Sequence, residues 1–358
     1  MEITSIHQFL PVFAEYDAIG KTVSQMKKTL ENLGYNSEIF VEKQIDQTSK
    51  VTKSFTEYEE NKSDLIIYHH SIGSALAAFM EKITTPKILF YHNITPSSFF
   101  ESYDQIITSQ LFQGVEQTKR LAKSIPYAMA ASNYNKFHLS QYGYQYILDA
   151  QYFINLERFD AMKPKKEILE KFSTSKNIIF VGRRVPNKKI EDILKVFAYY
   201  KTLNPNSKLF LLGGSWSIKK YVQELNELES KLSFDKDDVI IINTLTDEEL
   251  QSYYKIADIF LCMSEHEGFC IPLVESMYFD VPIVAYNSTA VPDTLGDSGI
   301  LVNHKKFGEI AELIHMIIGN KTLRDEIIQN QQKRLSFFSD TKAQDLLKNN
   351  IKKILSDN

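Results

Sequence analysis

Two carboxylates, Glu267 and Glu275, stand with seven residues between them and enclose a glycine, Gly268, and a proline, Pro272. The apolar run before them, Ile259-Phe260-Leu261-Cys262, reads as a buried strand. The chain then breaks at Glu267-Gly268 and enters a helix near Pro272, the residue type best suited to a first helical turn. Backbone amides at such a helix start lack intrahelical partners and carry partial positive charge, so they suit a phosphate. A carboxylate on the turn, Glu267, can accept hydrogen bonds from two sugar hydroxyls. Glu275, about one helical turn further in, can grip a second diol. A phosphate cradle between two diol-binding carboxylates is the chemistry of a nucleotide sugar.

Strand, turn and helix of this kind recur along the chain. In the first half the expected strands are residues 3–9, 64–69, 87–92 and 127–131. Val23, Met26, Leu30 and Leu33 fall at helical spacing ahead of Gly34, which sits where a C-cap belongs. In the second half the expected strands are 177–181, 208–212, 239–242, 258–262, 281–285 and 300–302. Ile190, Ile193, Leu194 and Phe197 mark an amphipathic helix, and Leu346, Leu347, Ile351 and Ile354 another at the end of the chain. Alternating strands and helices predict an α/β fold with parallel sheets. The charged, proline-containing stretch 155–172 divides two complete α/β patterns.

The chain has 358 residues, enough for two domains, with 43% hydrophobic and 24% charged residues, as in soluble globular proteins. A net charge of −4 argues against a nucleic-acid partner. Cys262 and Cys270, the only cysteines, have neither the spacing of a metal pair nor a disulfide framework, which favours a reducing compartment. The N-terminus does not read as a signal peptide, and no apolar run reaches membrane-spanning length. The expected location is the cytoplasm, with association at the inner membrane face left open. Oligomeric state is not legible.

Three further segments complete a pattern. Val181-Gly182-Arg183-Arg184-Val185-Pro186-Asn187-Lys188-Lys189 resembles the Gly-Arg-Leu…Lys-Gly segment of GT-B glycosyltransferases of family 4. Glu267 and Glu275 match that family's E-x7-E motif, and residues 290–299 its segment just downstream. Phe90-Tyr91-His92-Asn93-Ile94-Thr95-Pro96 is similar to a loop of bacterial members acting on surface polysaccharides. The resemblance implies a GT-B fold: two Rossmann-like domains with parallel sheets facing across a cleft, and a C-terminal helix crossing back to the first. The expected domains are 1–160 for the acceptor, 161–338 for the nucleotide sugar, and 339–358 as the returning helix. It further implies retaining transfer of a hexose from GDP-mannose or a UDP-hexose to a glycan, lipid-linked or protein acceptor, without a metal or other cofactor. Arg183 and Lys188 would stabilise the leaving diphosphate, Glu267 orient the sugar, Glu275 hold the ribose, and His92 line the sugar face. Gly20 and Gly213 would approach the donor, residues 243–245, with Thr244 and Leu245, would seat the base, and Gly268, Phe269 and Cys270 would offer amides to phosphate and sugar.

Each feature has a plainer reading. Arg183, Arg184, Lys188 and Lys189 alone make a solvated basic turn, and Gly20 an ordinary tight turn. His69 and His70 are structural or acceptor-side residues. Gly213-Gly214 lacks the G-x-G-x-x-G pattern of a dinucleotide dehydrogenase. Asp235-Lys236-Asp237 has the metal-binding D-x-D form of GT-A enzymes but reads as a surface turn. The clusters Lys119-Arg120-Lys123 and Lys163-Lys165-Lys166 read as solvated faces. Where the family has glycine, this chain has Lys189 and Cys270, and Asp293 replaces a common glutamate. Lys189 is harmless if its φ is negative, and Cys270 adds bulk beside the donor phosphates. A non-catalytic nucleotide-sugar-binding subunit and a GT-B nucleotide-sugar epimerase remain the alternatives.

Overall fold

The computed structural model describes residues 3–15, 17–45, 47–214 and 217–357. The chain forms two compact units. One comprises Met1–Glu101, Gln105–Ile154 and Phe338–Asn358; the other comprises Ser102–Asp104 and Asn155–Phe337.

The first unit holds strands β1 (Ser5–Val12), β2 (Ile39–Lys43), β3 (Lys53–Ser54), β4 (Asp64–His70), β5 (Lys87–Tyr91), β6 (Tyr127–Ala130) and β7 (Tyr146–Asp149). They form one parallel sheet in the order β3-β2-β1-β4-β5-β6-β7. All seven residues of β4 are buried, as a strand covered on both faces requires. The helix Ala18–Asn32 starts at Asp17, whose carboxylate accepts from the Gly20 amide, and buries Val23, Met26 and Leu30. Leu33, expected in that stripe, is instead the C-cap and lies 37% exposed. The last helix, Asp340–Asp357, belongs to this unit. Its Ala343, Leu347, Ile351 and Ile354 pack with Ile6, Met26, Leu65, Ile88 and Phe90 in one core.

The second unit holds β8 (Lys176–Val181), β9 (Ser207–Leu212), β10 (Val239–Ile242), β11 (Ile259–Cys262), β12 (Ile283–Tyr286) and β13 (Ile300–Val302). Its parallel order is β10-β9-β8-β11-β12-β13. The chain winds outward in both directions from the β8–β11 pair, so the loops leaving those two strands flank a topological switch point. Ligands bind in open α/β sheets at such a crevice. The stretch 155–172, read as a boundary, is built into this unit: Phe159 is fully buried, its ring 4.9 Å from that of Phe279. Among the described residues, no helix is long and apolar enough to cross a membrane.

Candidate active site

The loop leaving β8 and the loop leaving β11 are joined by their backbones and side chains. Glu265 donates its amide to the Asn187 carbonyl at 2.9 Å, and Asn187 Nδ2 returns a bond to the His266 carbonyl at 3.0 Å. This docking brings Lys188, at the end of the 3₁₀ turn Pro186–Lys188, onto Glu267. Lys188 Nζ donates to both Glu267 carboxylate oxygens at 2.6 Å. The pair is largely buried, with side chains 18% and 7% exposed. Burial works against the Lys188 ammonium, but the Glu267 charge outweighs it and holds the lysine pKa above its ordinary value. An ammonium has three donors, so one N–H beyond the Glu267 pair can meet a phosphate oxygen.

Thr289 and Thr294 fix the rest of the β11 loop. Thr289 Oγ1 accepts from the Glu267 amide at 2.8 Å, and Thr294 Oγ1 donates to the Phe269 carbonyl. Phe269 is buried and Gly268 half-buried. Cys270 precedes the helix Ile271–Tyr278 in the left-handed region, at φ 73° and ψ 69°. Lys189 also lies there, at φ 52°, so the negative φ that would make it harmless is not found. Both departures from the family's glycines therefore sit where glycine is the least strained residue.

Glu275 points into the second unit's interior. Its Oε1 accepts from Arg158 Nη2 at 2.6 Å and its Oε2 from the Tyr254 hydroxyl at 3.0 Å. Burial first, and then Glu275, push the Tyr254 hydroxyl well above its ordinary pKa, so it stays a donor. A carboxylate offers about four lone pairs, which leaves room for a diol beside these two donors. Nothing in the sequence connects Arg158 to Glu275, which are 117 positions apart.

Arg183 is exposed, whereas its neighbour Arg184, read as part of a solvated turn, is only 7% exposed. Arg184 Nη2 donates to Asn243 Oδ1 at 2.7 Å, in the loop after β10 that also carries Thr244 and Leu245. Its Nε and Nη1 are buried without a protein partner. Burial alone lowers the guanidinium pKa. Buried donors without acceptors are the signature of a site built for another molecule or for water. Gly213 and Gly214, at φ 86° and 90°, pass beside this loop, and a Cβ on Gly214 would lie 2.8 Å from the Arg183 Cα. Asp235, Lys236 and Asp237 form an exposed turn; the following Asp238 is buried against Lys201 and Lys208.

In the first unit, the Gly20 amide is spent on the Asp17 cap, and a Cβ at Gly20 would stand 1.8 Å from the Ala14 carbonyl oxygen. The chain's own packing demands this glycine, rather than the close approach of a ligand. His92 closes a directional chain of buried hydrogen bonds. Gln8 Nε2 donates to the Val23 carbonyl, so Gln8 Oε1 must accept from His69 Nε2 at 3.1 Å. Burial holds the His69 pKa at about 3 and keeps the ring neutral, so its Nδ1 accepts from His92 Nε2 at 2.9 Å. His92, likewise kept neutral by burial and then by its histidine neighbours, accepts at Nδ1 from the Tyr152 hydroxyl at 2.9 Å. Both ring nitrogens expected to face a sugar are thus held by protein groups. His70 is also fully buried, bonded to Tyr68, Thr118 and the Gly114 carbonyl.

The family model described as glycosyl transferases group 1 matches residues 162–334, the body of the second unit. Over these residues the chain is similar to glycosyl transferases group 1. Residues 162–334 carry every site residue expected from the sequence except Gly20 and His92. A capsular polysaccharide biosynthesis glycosyltransferase, CapM of Staphylococcus aureus, is 28% identical over 197 residues, 51% of this chain and 47% of the relative. The chain spans about half the length, or less, of the curated relatives first matched. Among solved structures, sucrose-phosphate synthase from Thermosynechococcus elongatus aligns with 99% of this chain and 100% of its own, at a TM-score of 0.78 and 14% identity. Anabaena HepE in complex with UDP-glucose aligns with 96% and 98%, at 0.72 and 15%. The chain has the GT-B fold.

Proposed function

We propose that the protein is a retaining hexosyltransferase that moves a hexose from a nucleoside diphosphate sugar to a glycan acceptor. The buried Lys188–Glu267 pair at the switch point of the second unit carries this reading. Arg183 and Lys188 bind the diphosphate, Glu267 orients the sugar while keeping Lys188 charged, and Glu275 accepts the ribose hydroxyls. Amides of residues 268–270 complete the phosphate cradle, and the loop at Thr244 and Leu245 seats the base. In the first unit, the Tyr152 hydroxyl on His92 Nδ1 is the contact that a sugar hydroxyl can replace.

The acceptor hydroxyl attacks the anomeric carbon on the face from which the diphosphate departs. The carbon–oxygen bond to the diphosphate breaks, and the acceptor's proton passes to the leaving diphosphate oxygen. Two cations on that diphosphate do the work of a divalent ion, each well-placed donor lowering the barrier by about 3 kcal/mol. The reaction therefore proceeds without a metal. The acceptor class follows the CapM relative, whose name places it in capsular polysaccharide biosynthesis.

UDP-glucose, UDP-N-acetylhexosamines and GDP-mannose are the donors to offer, with purified glycan and lipid-linked acceptors and a chelator present. The expected result is nucleoside diphosphate release coupled to a new α-glycoside, abolished by Glu267→Ala. Donor hydrolysis or epimerisation without an acceptor, or tight donor binding with no transfer, would replace the reading by one of its alternatives.

A further inference from the structure

Cys262 ends β11 and Cys270 precedes the next helix, and the loop between them turns back on itself. This brings Cys262 Sγ, Cys270 Sγ and a Glu267 carboxylate oxygen within 4.8 Å of one another. Both thiols are free, and Cys262 Sγ donates to the Ser264 hydroxyl oxygen at 3.4 Å. Cys262 is fully buried and Glu267 is 6% exposed, while Cys270 is half-buried and gives the group its opening. The proposed transfer needs neither sulfur atom.

We propose that Cys262, Cys270 and Glu267 form a binding site for a soft divalent cation of the zinc type, whose occupation shuts the donor site. Two thiolates and one carboxylate suit zinc, whereas magnesium and calcium select all-oxygen ligand sets. Zinc–sulfur bonds of about 2.3 Å and zinc–oxygen bonds of about 2.1 Å place tetrahedral ligand atoms roughly 3.6–3.8 Å apart. Movements of about half an ångström by each side chain close the gap.

Charge also favours the ion. The pocket now holds one cation, Lys188, and one anion, Glu267. A divalent ion that displaces both thiol protons to solvent adds two positive charges and two negative ones. The buried net charge is unchanged, so no uncompensated charge is left away from water. Glu267 can ligate through one oxygen and keep Lys188 on the other. Three protein ligands leave the fourth position for water, as in metal sites that remain open.

The inhibitory consequence rests on the transfer reading, because Glu267 and Cys270 both belong to the cradle assigned to the donor; the metal site does not. The full chain, reduced and freed of metal, is titrated with cobalt(II) as a spectroscopic probe and then with zinc(II) in competition. The expected result is a thiolate-to-cobalt charge-transfer band saturating at one equivalent, bleached by zinc and absent in Cys262→Ser and Cys270→Ser. Thermal melts identify variants that have failed to fold, for which Cys262→Ala and Cys270→Gly are substituted. Absence of the band in the parent chain, or its persistence in folded variants, would overturn the site. Where transfer is observed, zinc should inhibit it competitively against the donor and a chelator should restore it. Cys262→Ser should keep transfer and lose zinc sensitivity by about 10-fold or more. Transfer without a cobalt band rejects the metal site alone; a band without transfer rejects the enzyme reading alone.

Discussion

At the scale of single residues, Lys188 and Glu267 compensate each other's charge on the buried side of the site. Removing one partner of a buried pair leaves a charge stranded, which costs about 3 kcal/mol when, as here, some exposure remains. Lys188→Met and Glu267→Gln should each lose about that much in urea unfolding, and the double variant should recover most of it. Simple additivity of the two losses would show that the pair is not coupled. Arg184 behaves in the opposite way. Its guanidinium is buried with two nitrogens unpartnered, so Arg184→Leu removes an uncompensated charge. The variant should melt at a higher temperature while its donor KM rises and kcat holds. A lower melting temperature with unchanged KM would make Arg184 a structural residue instead.

At the scale of elements, the strands most plainly legible in the sequence include those buried on both faces. β4, β8, β9 and β11 are near-continuous apolar runs, which is what a covered parallel strand must be. β2 and β7 are less plain: two of the five residues of Ile39–Lys43 are exposed, and only one of the four in Tyr146–Asp149 is buried. The site divides in the same way. Lys188 and Glu267 could be read because each follows a strand end in a recognisable local pattern. The Cys262–Cys270 contact, the Arg158–Glu275 pair and the burial of Arg184 depend on how loops turn, which local spacing does not encode. Lys189 tests one such turn. Its left-handed backbone costs an L-residue about 1 kcal/mol, so Lys189→Gly should be about 1 kcal/mol more stable than Lys189→Ala. Both variants lose the Glu191 ion pair, which cancels from the comparison. Equal stability would show that the strain is not there. The terminal helix offers a second test, since Ile351 is 3% exposed in the first unit's core. Ile351→Ala should destabilise that unit by about 3 kcal/mol, read by hydrogen exchange of its strands.

At the scale of the whole molecule, burial lowers the pKa of five histidines in the first unit, most strongly His69, His70 and His92, with His7 and His138 moved in the same direction. Burial holds His69 at about 3 and His70 at about 4, and pushes His92 down as well. In the unfolded chain each has a pKa near 6.5. Above that value neither state binds the proton and the histidines leave stability unchanged. Below it the unfolded chain takes up protons that the folded unit refuses, so stability falls as pH falls, until the folded values are reached. The slope is about 1.4 kcal/mol per pH unit for each group, or about 2 kcal/mol from His69 and from His70 at pH 5, with His92 acting in the same direction. The loss belongs to the unit that holds these side chains, not to the chain uniformly. Peptide-resolved hydrogen exchange at pH 7.5 and pH 5, corrected for intrinsic rates, should show β1, β4 and β5 losing protection on acidification. His70→Gln, which keeps a donor for the Gly114 carbonyl without a titrating ring, should lose less protection over the same interval. Equal protection of the three strands at both pH values would mean that protons reach these histidines in the folded state, and that the Tyr152–His92–His69–Gln8 chain is open to solvent.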